Sequence, residues 1–282
     1  MIGHVPGTRP PPIPPADLIT TPPGKVSVYA EERQQAIVGL VTQRGRVAVT
    51  AVAERFGVTT ETVRRDLAVL EQVGMLRRVH GGAVPVGALT VVEPGLGERR
   101  NTRTDAKRRI AACALQFVPG GHGSLVLDGG STTAALAEVL PGDRDLLAVT
   151  NSVPIGARLA GVAGITLHLL GGRVRGVTQS AVGESTVHAL ADLRADVVFL
   201  GTNGISAQHG CSTPDEAEAS VKRAMARAGQ RVVVLADSSK LGREHLVRFA
   251  GLEEVDVLVT DDEADPSLVA DLEAQGIEVL QA

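Results

Sequence analysis

This chain of 282 residues lacks most of what marks a secreted, membrane-bound or catalytic protein. No apolar run approaches the roughly 18 to 20 residues that a membrane-spanning helix needs, and the N-terminus lacks the basic-then-apolar order of a secretory signal. The chain is therefore expected in the cytoplasm, with no membrane partner. There are only two cysteines, Cys113 and Cys211. They supply neither a disulfide framework nor a metal-ligand spacing, and each reads as a small core residue. The seven histidines show no metal spacing, and a pair such as His209 and Cys211 has no further ligand beside it. The lysine of a GK[ST] phosphate loop is missing, and no GxGxxG follows a strand. No nucleophile has a base placed beside it, so neither a catalytic residue nor a cofactor is expected.

Charge is divided unevenly. The formal net charge is −4, but residues 29–84 hold eight Arg/Lys against six Asp/Glu while residues 85–282 hold 18 against 25, which gives +2 and −7. Only the first region can approach a polyanion without opposing it. The length suits one large core with a smaller domain attached, and exceeds that of a bare DNA-binding module.

Residues 1–28 contain eight of the fifteen prolines and too little apolar periodicity for an element. They read as a disordered arm, whose Pro-rich text either docks an aromatic groove or is an overextended start. Residues 29–84 change character. The pattern predicts a helix from Ala30 to Gln43 with Ile37, Leu40 and Val41 as its apolar stripe and Gly45 at its end. A second helix follows over about Thr50 to Phe56, with Val52, Ala53 and Phe56 facing inward and Gly57 as its stop. A third helix opens on Thr59 or Thr60 as N-cap and places Val63, Leu67, Leu70 and Val73 on a buried face. Its other face carries Glu61, Arg64, Arg65, Ala68 and Gln72. Helix, tight turn and second helix make a helix-turn-helix, and two arginines in the first turns of the second helix sit where a recognition helix enters a major groove. Beyond Gly74, alternation about Leu76 and Val79 with Gly81 and Gly82 predicts a wing along which Arg77, Arg78 and His80 reach phosphates or a minor groove. An Arg-Arg pair on a lone helix is ordinarily a solvated surface; here the turn, the wing and the second pair point to DNA. The candidate DNA contacts are Thr60, Thr62, Arg64, Arg65, Arg77, Arg78 and His80. Asp66 cannot favour phosphate, and reads as a clamp on an arginine or a local cap.

Residues 85–104, with prolines, glycines and Glu/Arg runs, read as a linker with some order. From residue 105 to 282, short apolar runs alternate with alanine-rich helical ones, beginning with a helix over Asp105 to Phe117. This pattern predicts a largely parallel sheet covered on both faces. Ligands of such sheets bind beyond the carboxyl ends of the strands, and four ends here are polar and glycine-rich. They hold Asp128, Gly129, Gly130, Ser131, Thr132 and Thr133 (DGGSTT); Thr150, Asn151 and Ser152 (TNS); Gly171 and Gly172; and Gly201 with Asn203 (GTN). Two glycines, three hydroxyls and the first amides of a helix at DGGSTT suit a phosphate monoester, although a plain Ser/Thr helix cap reads the same way when the loop is taken alone. Asp128 and Asp237 are acids at strand ends that Lys222 or Lys240 can meet. Lys240 can also pair with a phosphate, and Lys222 is equally explained by Glu218 one turn before it. Arg175, with Arg173, is expected on a mobile loop near the pocket or facing solvent.

The run RQQAIVGLV at 33–41 and FGVTTETVRRDLAVLEQVGMLRRVHGGA at 56–83 resemble the DeoR family of bacterial transcriptional regulators. DGGSTT, TNS, GTNGI, CSTPDEAEASVKRAM and LADSSKLG resemble that family's sensor domain, so the likeness covers about 29–282. Thr59 where a serine is commoner and Met75 where a leucine is commoner are small departures. The resemblance implies a winged helix-turn-helix followed by a mostly parallel α/β domain related to ribose-5-phosphate isomerase. It also implies a repressor of a carbohydrate uptake or catabolism operon that binds double-stranded operator DNA and is relieved by a phosphorylated sugar effector. On that pattern Thr62, Arg64 and Arg65 contact DNA with Arg78 and His80 on the wing. Asp128, Ser131, Thr132, Thr133, Asn151, Asn203 and Lys240 line the effector pocket. A homodimer or homotetramer is expected, because paired modules read half-sites. Two other readings stay open: an isomerase-like enzyme carrying a DNA module, since fold alone does not decide function, and an activator, since the sign of regulation depends on where the operator lies.

Overall fold

The computed structural model describes residues 30–44, 47–79, 81–84 and 93–282. The Pro-rich arm, Gly45 and His80 lie outside them. The chain divides after Val86 into two compact units.

The first unit contains three helices, α1 (Ala30–Arg44), α2 (Val49–Phe56) and α3 (Thr60–Gln72), and three short strands, β1 (Val47–Ala48), β2 (Arg77–Val79) and β3 (Gly82–Val84). Ile37 and Val41 of α1, Val52 and Ala53 of α2, and Val63, Leu67 and Leu70 of α3 share one core. α2 closes on Gly57, whose φ of +62° lets Val58 N–H return to the Ala53 carbonyl at 3.1 Å. α3 closes in the same manner: Gly74 takes φ +70°, its N–H meets the Glu71 carbonyl at 2.9 Å and Met75 N–H meets that of Leu70 at 2.9 Å. Such a Schellman closure ends the apolar stripe one residue early. Val73, expected on the buried face, is thus 63% exposed.

The wing differs from a two-stranded hairpin, for β3 pairs antiparallel with both β2 and β1. Two residues of strand give no period, so β1 left no pattern in the sequence. Gly81 serves the turn with φ +72°, whereas Gly82 serves a close approach: a Cβ there would stand 1.9 Å from the Val47 carbonyl oxygen.

Of its two readings, an arginine clamp or a local cap, Asp66 takes the clamp. Its carboxylate receives Arg33 Nε at 2.6 Å and Nη2 at 3.2 Å, with Gln34 Nε2 at 3.0 Å, and both charged side chains are buried. The pair locks α1 to the back of α3. Replacing Asp66 with Ala takes away the buried carboxylate opposite Arg33 and is expected to cost about 3–5 kcal/mol. The paired replacement of Arg33 with Met and Asp66 with Leu is expected to cost much less, as read by denaturant unfolding.

The second unit runs α4 (Leu96–Arg100), α5 (Thr104–Ala114), β4 (Ser124–Leu127), α6 (Ser131–Val139), β5 (Leu146–Thr150), α7 (Val153–Leu159), β6 (Ile165–Leu169), β7 (Arg173–Arg175), β8 (Ser180–Val182), α8 (Glu184–Ala191), β9 (Ala195–Gly201), β10 (Gly204–Ser206), β11 (Gly210–Thr213), α9 (Glu216–Ala228), β12 (Gly229–Leu235), β13 (Val247–Ala250), β14 (Val257–Thr260), α10 (Pro266–Glu273) and β15 (Glu278–Gln281). The helix expected to reach Phe117 gives way after Ala114 to a 3₁₀ turn over Leu115–Phe117.

Seven strands form one parallel sheet in the order β15-β14-β12-β9-β4-β5-β6. Successive side chains of its strands point to opposite faces. Leu125, Leu127, Val197, Phe199, Val233 and Leu235 pack with Ile110 of α5, Leu136 of α6 and Ile155 of α7. Val126, Val198, Leu200, Val232 and Val234 pack with Leu190 of α8, Met225 of α9 and Leu272 of α10. Both faces are covered, which is why the strands read as continuous apolar runs. The chain starts at β4, winds outward to β6, then returns to β9 on the other side of β4. Neighbouring connections diverge between β4 and β9, and a crevice opens beyond their carboxyl ends.

Short antiparallel strands grow from those ends. β7 and β8 form a hairpin after β6, and β10, β11 and β13 form a small sheet after β9 and β12. Three or four residues each, rich in Gly, Ser and Arg, they carry too little apolar alternation to be seen in sequence.

Candidate functional site

The candidate DNA face is the exposed side of α3. Thr59 is the N-cap: its hydroxyl accepts Thr62 N–H at 3.1 Å, and the two hydroxyls lie 2.9 Å apart. Arg64 and Arg65 project with side chains 60% and 83% exposed, each near Glu61 at 3.4 and 4.0 Å. Exposed pairs at this spacing are worth about 0.3–0.5 kcal/mol, so a phosphate or base edge can take both guanidinium groups from Glu61 at small cost. Thr60 and Thr62 are half-buried at the start of the same helix. Arg78 is held more firmly, with Nε on Glu71 Oε2 at 2.6 Å and its backbone N–H on Glu71 Oε1 at 2.7 Å. It braces the wing against the end of α3. Arg77 is half-buried on the same strand.

In the second unit the crevice between β4 and β9 is closed by one carboxylate. Asp128 Oδ2 accepts Gly201 N–H at 2.9 Å and the ammonium of Lys222, which also reaches the Gly201 carbonyl at 3.0 Å. Both charged side chains are buried. Glu218 does not account for Lys222; the sheet end does. Gly129 N–H meets Asn151 Oδ1 at 3.1 Å, Asn151 Nδ2 meets the Ala181 carbonyl at 2.9 Å, and Thr150 Oγ1 meets the Leu127 carbonyl at 2.7 Å. Asn151 therefore uses both ends of its amide to shape the loop. Ser152 caps α7, its hydroxyl accepting Ile155 N–H at 3.4 Å.

DGGSTT is built for close approach. A Cβ on Gly129 would lie 1.8 Å from Ser180 Oγ, and one on Gly130 would lie 3.0 Å from Thr133 Oγ1. Gly130 is the N-cap of α6 and no side chain caps that helix. Thr133 turns back to the Gly130 carbonyl at 3.1 Å. The first amides of α6 thus have no side-chain cap and face whatever sits before the helix.

Gly171 and Gly172 lead from β6 into β7. Thr186 Oγ1 donates to the Gly171 carbonyl at 2.8 Å, and a Cβ on Gly172 (φ +151°) would lie 2.3 Å from that hydroxyl. Arg175 is neither on a loop nor in solvent: it lies in β7, partly buried, facing the carboxylates of Glu93, Asp215 at 3.0 Å and Glu218 at 3.1 Å. Its guanidinium is held above the ordinary arginine range by those acids despite burial. Asn203 donates from Nδ2 to Glu93 at 3.1 Å.

Asp237 Oδ1 caps the 3₁₀ turn Ser238–Lys240, accepting Ser239 N–H at 3.2 Å, and lies 3.5 Å from Arg103 Nε. Arg103 holds φ +54°, a costly conformation for arginine, and is kept there by Asp237, Asp261 and Glu263. Burial lowers the Lys240 ammonium pKa, and Arg243, Arg99 and Arg103 add to the lowering against the opposing charge of Asp237. Lys107, buried with its ammonium on the Arg99 carbonyl at 2.6 Å, is lowered for the same first reason.

Sequence reasoning missed Glu93, Arg99, Arg103 and Lys107. The four-residue spacing of Arg99, Arg103 and Lys107 reads as one solvated helix face, but α4 ends at Arg100 and α5 starts at Thr104, so the chain turns between them. A groove of about 750 Å³ between α8 and α9 is lined by Glu184 and His188 with small and apolar residues such as Ser185, Val187, Ala191 and Ala217. No helix among the described residues is long and apolar enough to cross a membrane. Cys211 is a core residue whose thiol burial pushes up to about 12; Cys113 is only half-buried.

A winged helix-turn-helix joined in one chain to a doubly wound α/β unit defines the class: a DNA-binding regulator with a second unit of sensor type. Residues 33–86 match the DeoR-like helix-turn-helix domain and residues 102–262 match the DeoR C terminal sensor domain. The putative aga operon transcriptional repressor of Escherichia coli O157:H7 is 32% identical over 88% of this chain and 93% of its own length. The glycerol-3-phosphate regulon repressor of Escherichia coli K12 is 32% identical over 82% and 90%. A ribose 5-phosphate isomerase of Methanocaldococcus jannaschii is similar in structure at a TM-score of 0.36 and 18% identity, over 49% of this chain and 55% of that one. The chain belongs to the DeoR family. Relatives matched over most of their length are transcriptional regulators, and the chain is a DNA-binding transcriptional regulator.

Lys240 makes the strand ends testable through pH. Its folded-state pKa lies below the unfolded value of 10.5, so the folded protein binds fewer protons between the two, and the charge destabilises the fold below the lowered pKa. Lys240→Met is expected to melt above the wild type at neutral pH. The gain should shrink as pH rises through the Lys240 pKa toward 10.5, and thermal melts across that range check it.

Proposed function

We propose that the chain represses a carbohydrate uptake or catabolism operon and is released from its operator by a phosphorylated sugar bound beyond the carboxyl ends of β4 and β9, working as a homodimer or homotetramer. The observation that carries the effector is the start of α6: an uncapped helix N-terminus behind two glycines, of which Gly129 leaves no room for a side chain, at the point where strand order reverses. A phosphate monoester brings several acceptor oxygens to those amides and gains from the helix dipole. Lys240, whose ammonium pKa is lowered by burial, is a cation of the kind that binding sites hold. The relatives support the reading, one a repressor of an aga operon and another of a glycerol-3-phosphate regulon.

The chemistry at the DNA face follows from exposure. Arg64 and Arg65 serve as reading heads, Thr60 and Thr62 contact the backbone beside them, and Arg77 and Arg78 carry the wing to phosphate. Two copies are needed because a single reading helix covers too little of a site for specific binding.

Mobility shifts of the purified protein on its operator, over a panel of sugar phosphates, test the effector. Release by one of them with others inert is expected; tight operator binding that none relieves overturns it. Arg64→Ala or Arg65→Ala is expected to weaken operator binding by about 1–3 kcal/mol if that arginine reads a base. Random DNA should then weaken much less, and an equal loss on both would leave phosphate contact alone.

A further inference from the structure

Glu93 precedes α4 outside any helix or strand, yet its side chain is only 4% exposed. Three groups hold its carboxylate: Arg175 Nη1 at Oε2, and Asn203 Nδ2 at 3.1 Å with Arg99 Nη1 at 3.4 Å at Oε1. This is an anion bound in a small site of two guanidinium groups and an amide, and the fit is poor in two respects. First, Arg99 meets it through one nitrogen, while Arg99 Nε and Nη2 are buried with no hydrogen-bond acceptor. A planar guanidinium is matched best by an acceptor that takes two of its nitrogens, and a buried donor left unmet carries a desolvation cost. Second, Glu93 shares Arg175 Nη1 with Glu218, and the two like charges stand against each other. Glu218 cannot leave easily, being on α9 with Thr178 on its carboxylate. Asp215 caps α9 through Glu218 N–H at 2.9 Å. Glu93 has no such anchor, so of the three acids around Arg175 it is the one that can be exchanged.

We propose that Arg99, Arg175 and Asn203 form an exchangeable anion site in which Glu93 stands in for an anionic group of the effector and is displaced by it. This rests on reading the second unit as a sensor of an anionic ligand. A free phosphate takes Arg99 through two nitrogens, relieves the contact between Glu93 and Glu218, and keeps the Asn203 hydrogen bond. What departs is the chain at Glu93, which follows Val84 of the wing by nine residues. Glu93 therefore couples occupancy of the site to the segment that leads to the DNA-binding unit, and its charge sets how much ligand is needed.

The test uses the full chain and inorganic phosphate in titration calorimetry. A bound competitor lowers apparent affinity by the fraction of sites left open, so Glu93→Gln is expected to bind phosphate about tenfold more tightly than the wild type. Adding Arg99→Gln to that variant is expected to abolish the gain, which locates it here and not at α6. Affinity of Glu93→Gln within about twofold of the wild type, or a gain that survives Arg99→Gln, overturns the proposal and leaves the effector reading intact. Binding by neither protein removes both. Should Glu93→Gln fail to fold, hydrogen exchange on the wild type decides: phosphate binding should reduce protection at Leu96 N–H, which meets the Val177 carbonyl at 2.8 Å. Protection unchanged or raised on phosphate binding overturns the proposal.

Discussion

A parallel sheet that winds outward in one direction and then in the other must part its connections at the reversal, and the second unit is organised around how that gap is held. Asp128 closes it. One carboxylate oxygen takes the Gly201 N–H and the Lys222 ammonium, so β4, β9 and α9 meet at a single buried atom. A buried ion pair returns little net stability over apolar side chains, but removing one member strands the other charge. The arrangement thus fixes geometry more than it adds stability. With it in place the neighbouring loops are stitched in turn, Gly129 to Asn151, Asn151 to Ala181, and Gly242 to Ile205 at 2.8 Å. The strand ends become a rigid rim before which the amides of α6 can be presented.

That rim explains why cations gather in a unit whose formal charge is −7. Lys107, Lys240, Arg99, Arg103 and Arg175 all come to the same end of the unit, and two of them have lowered pKa values because burial and mutual repulsion outweigh their partners. Charge so placed destabilises the fold, as functional sites commonly do. Asp237, Asp261 and Glu263 hold Arg103 in place, and Glu93, Asp215 and Glu218 hold Arg175. A composition count sees only the acids that do the holding and misses the concentration of positive charge they permit.

The sequence made the sheet and the helix-turn-helix legible because both rest on periodicity. Ile37, Leu40 and Val41 in α1, and Val63, Leu67 and Leu70 in α3, fall at helical spacing, and the buried strands stand out as apolar runs between alanine-rich helices. The role of Asp66 was legible in part, since an acid on a DNA-reading helix cannot favour phosphate, but whether it clamped an arginine or capped the backbone was decided by Arg33. What stayed hidden had no period. β1, β7, β8, β10, β11 and β13 are too short to show alternation, and Val73 fell off the stripe because Gly74 ends α3 early. In the candidate site, DGGSTT was visible through its glycines and hydroxyls. Glu93 and Arg99 were not, because a carboxylate before a proline and an arginine near solvent-like neighbours look the same whether exposed or buried; Arg175 was named as a residue near the pocket, but its place in a strand among three acids was not visible. Only the fold brings residues 93, 99, 175 and 203 together.

On the proposed reading the two units treat anions with the same groups at different burial, and the consequence is a separation of their responses. Arg64 and Arg65 stand in solvent, where ions screen charges beyond about 8–10 Å at ordinary salt, so attraction to a polyanion falls steeply as salt rises. Arg99, Arg175 and Lys240 lie in a partly buried rim, where screening is weak and a bound anion is recognised through short hydrogen bonds. Bulk salt therefore acts mostly on the DNA face and a specific ligand mostly on the rim. On the proposed reading a change in ionic strength shifts DNA binding without imitating the effector, and the effector acts without altering the charge of the reading helix. The link between them then has to be mechanical, and the candidate in this chain is the stretch at Glu93, held by the rim's own arginines.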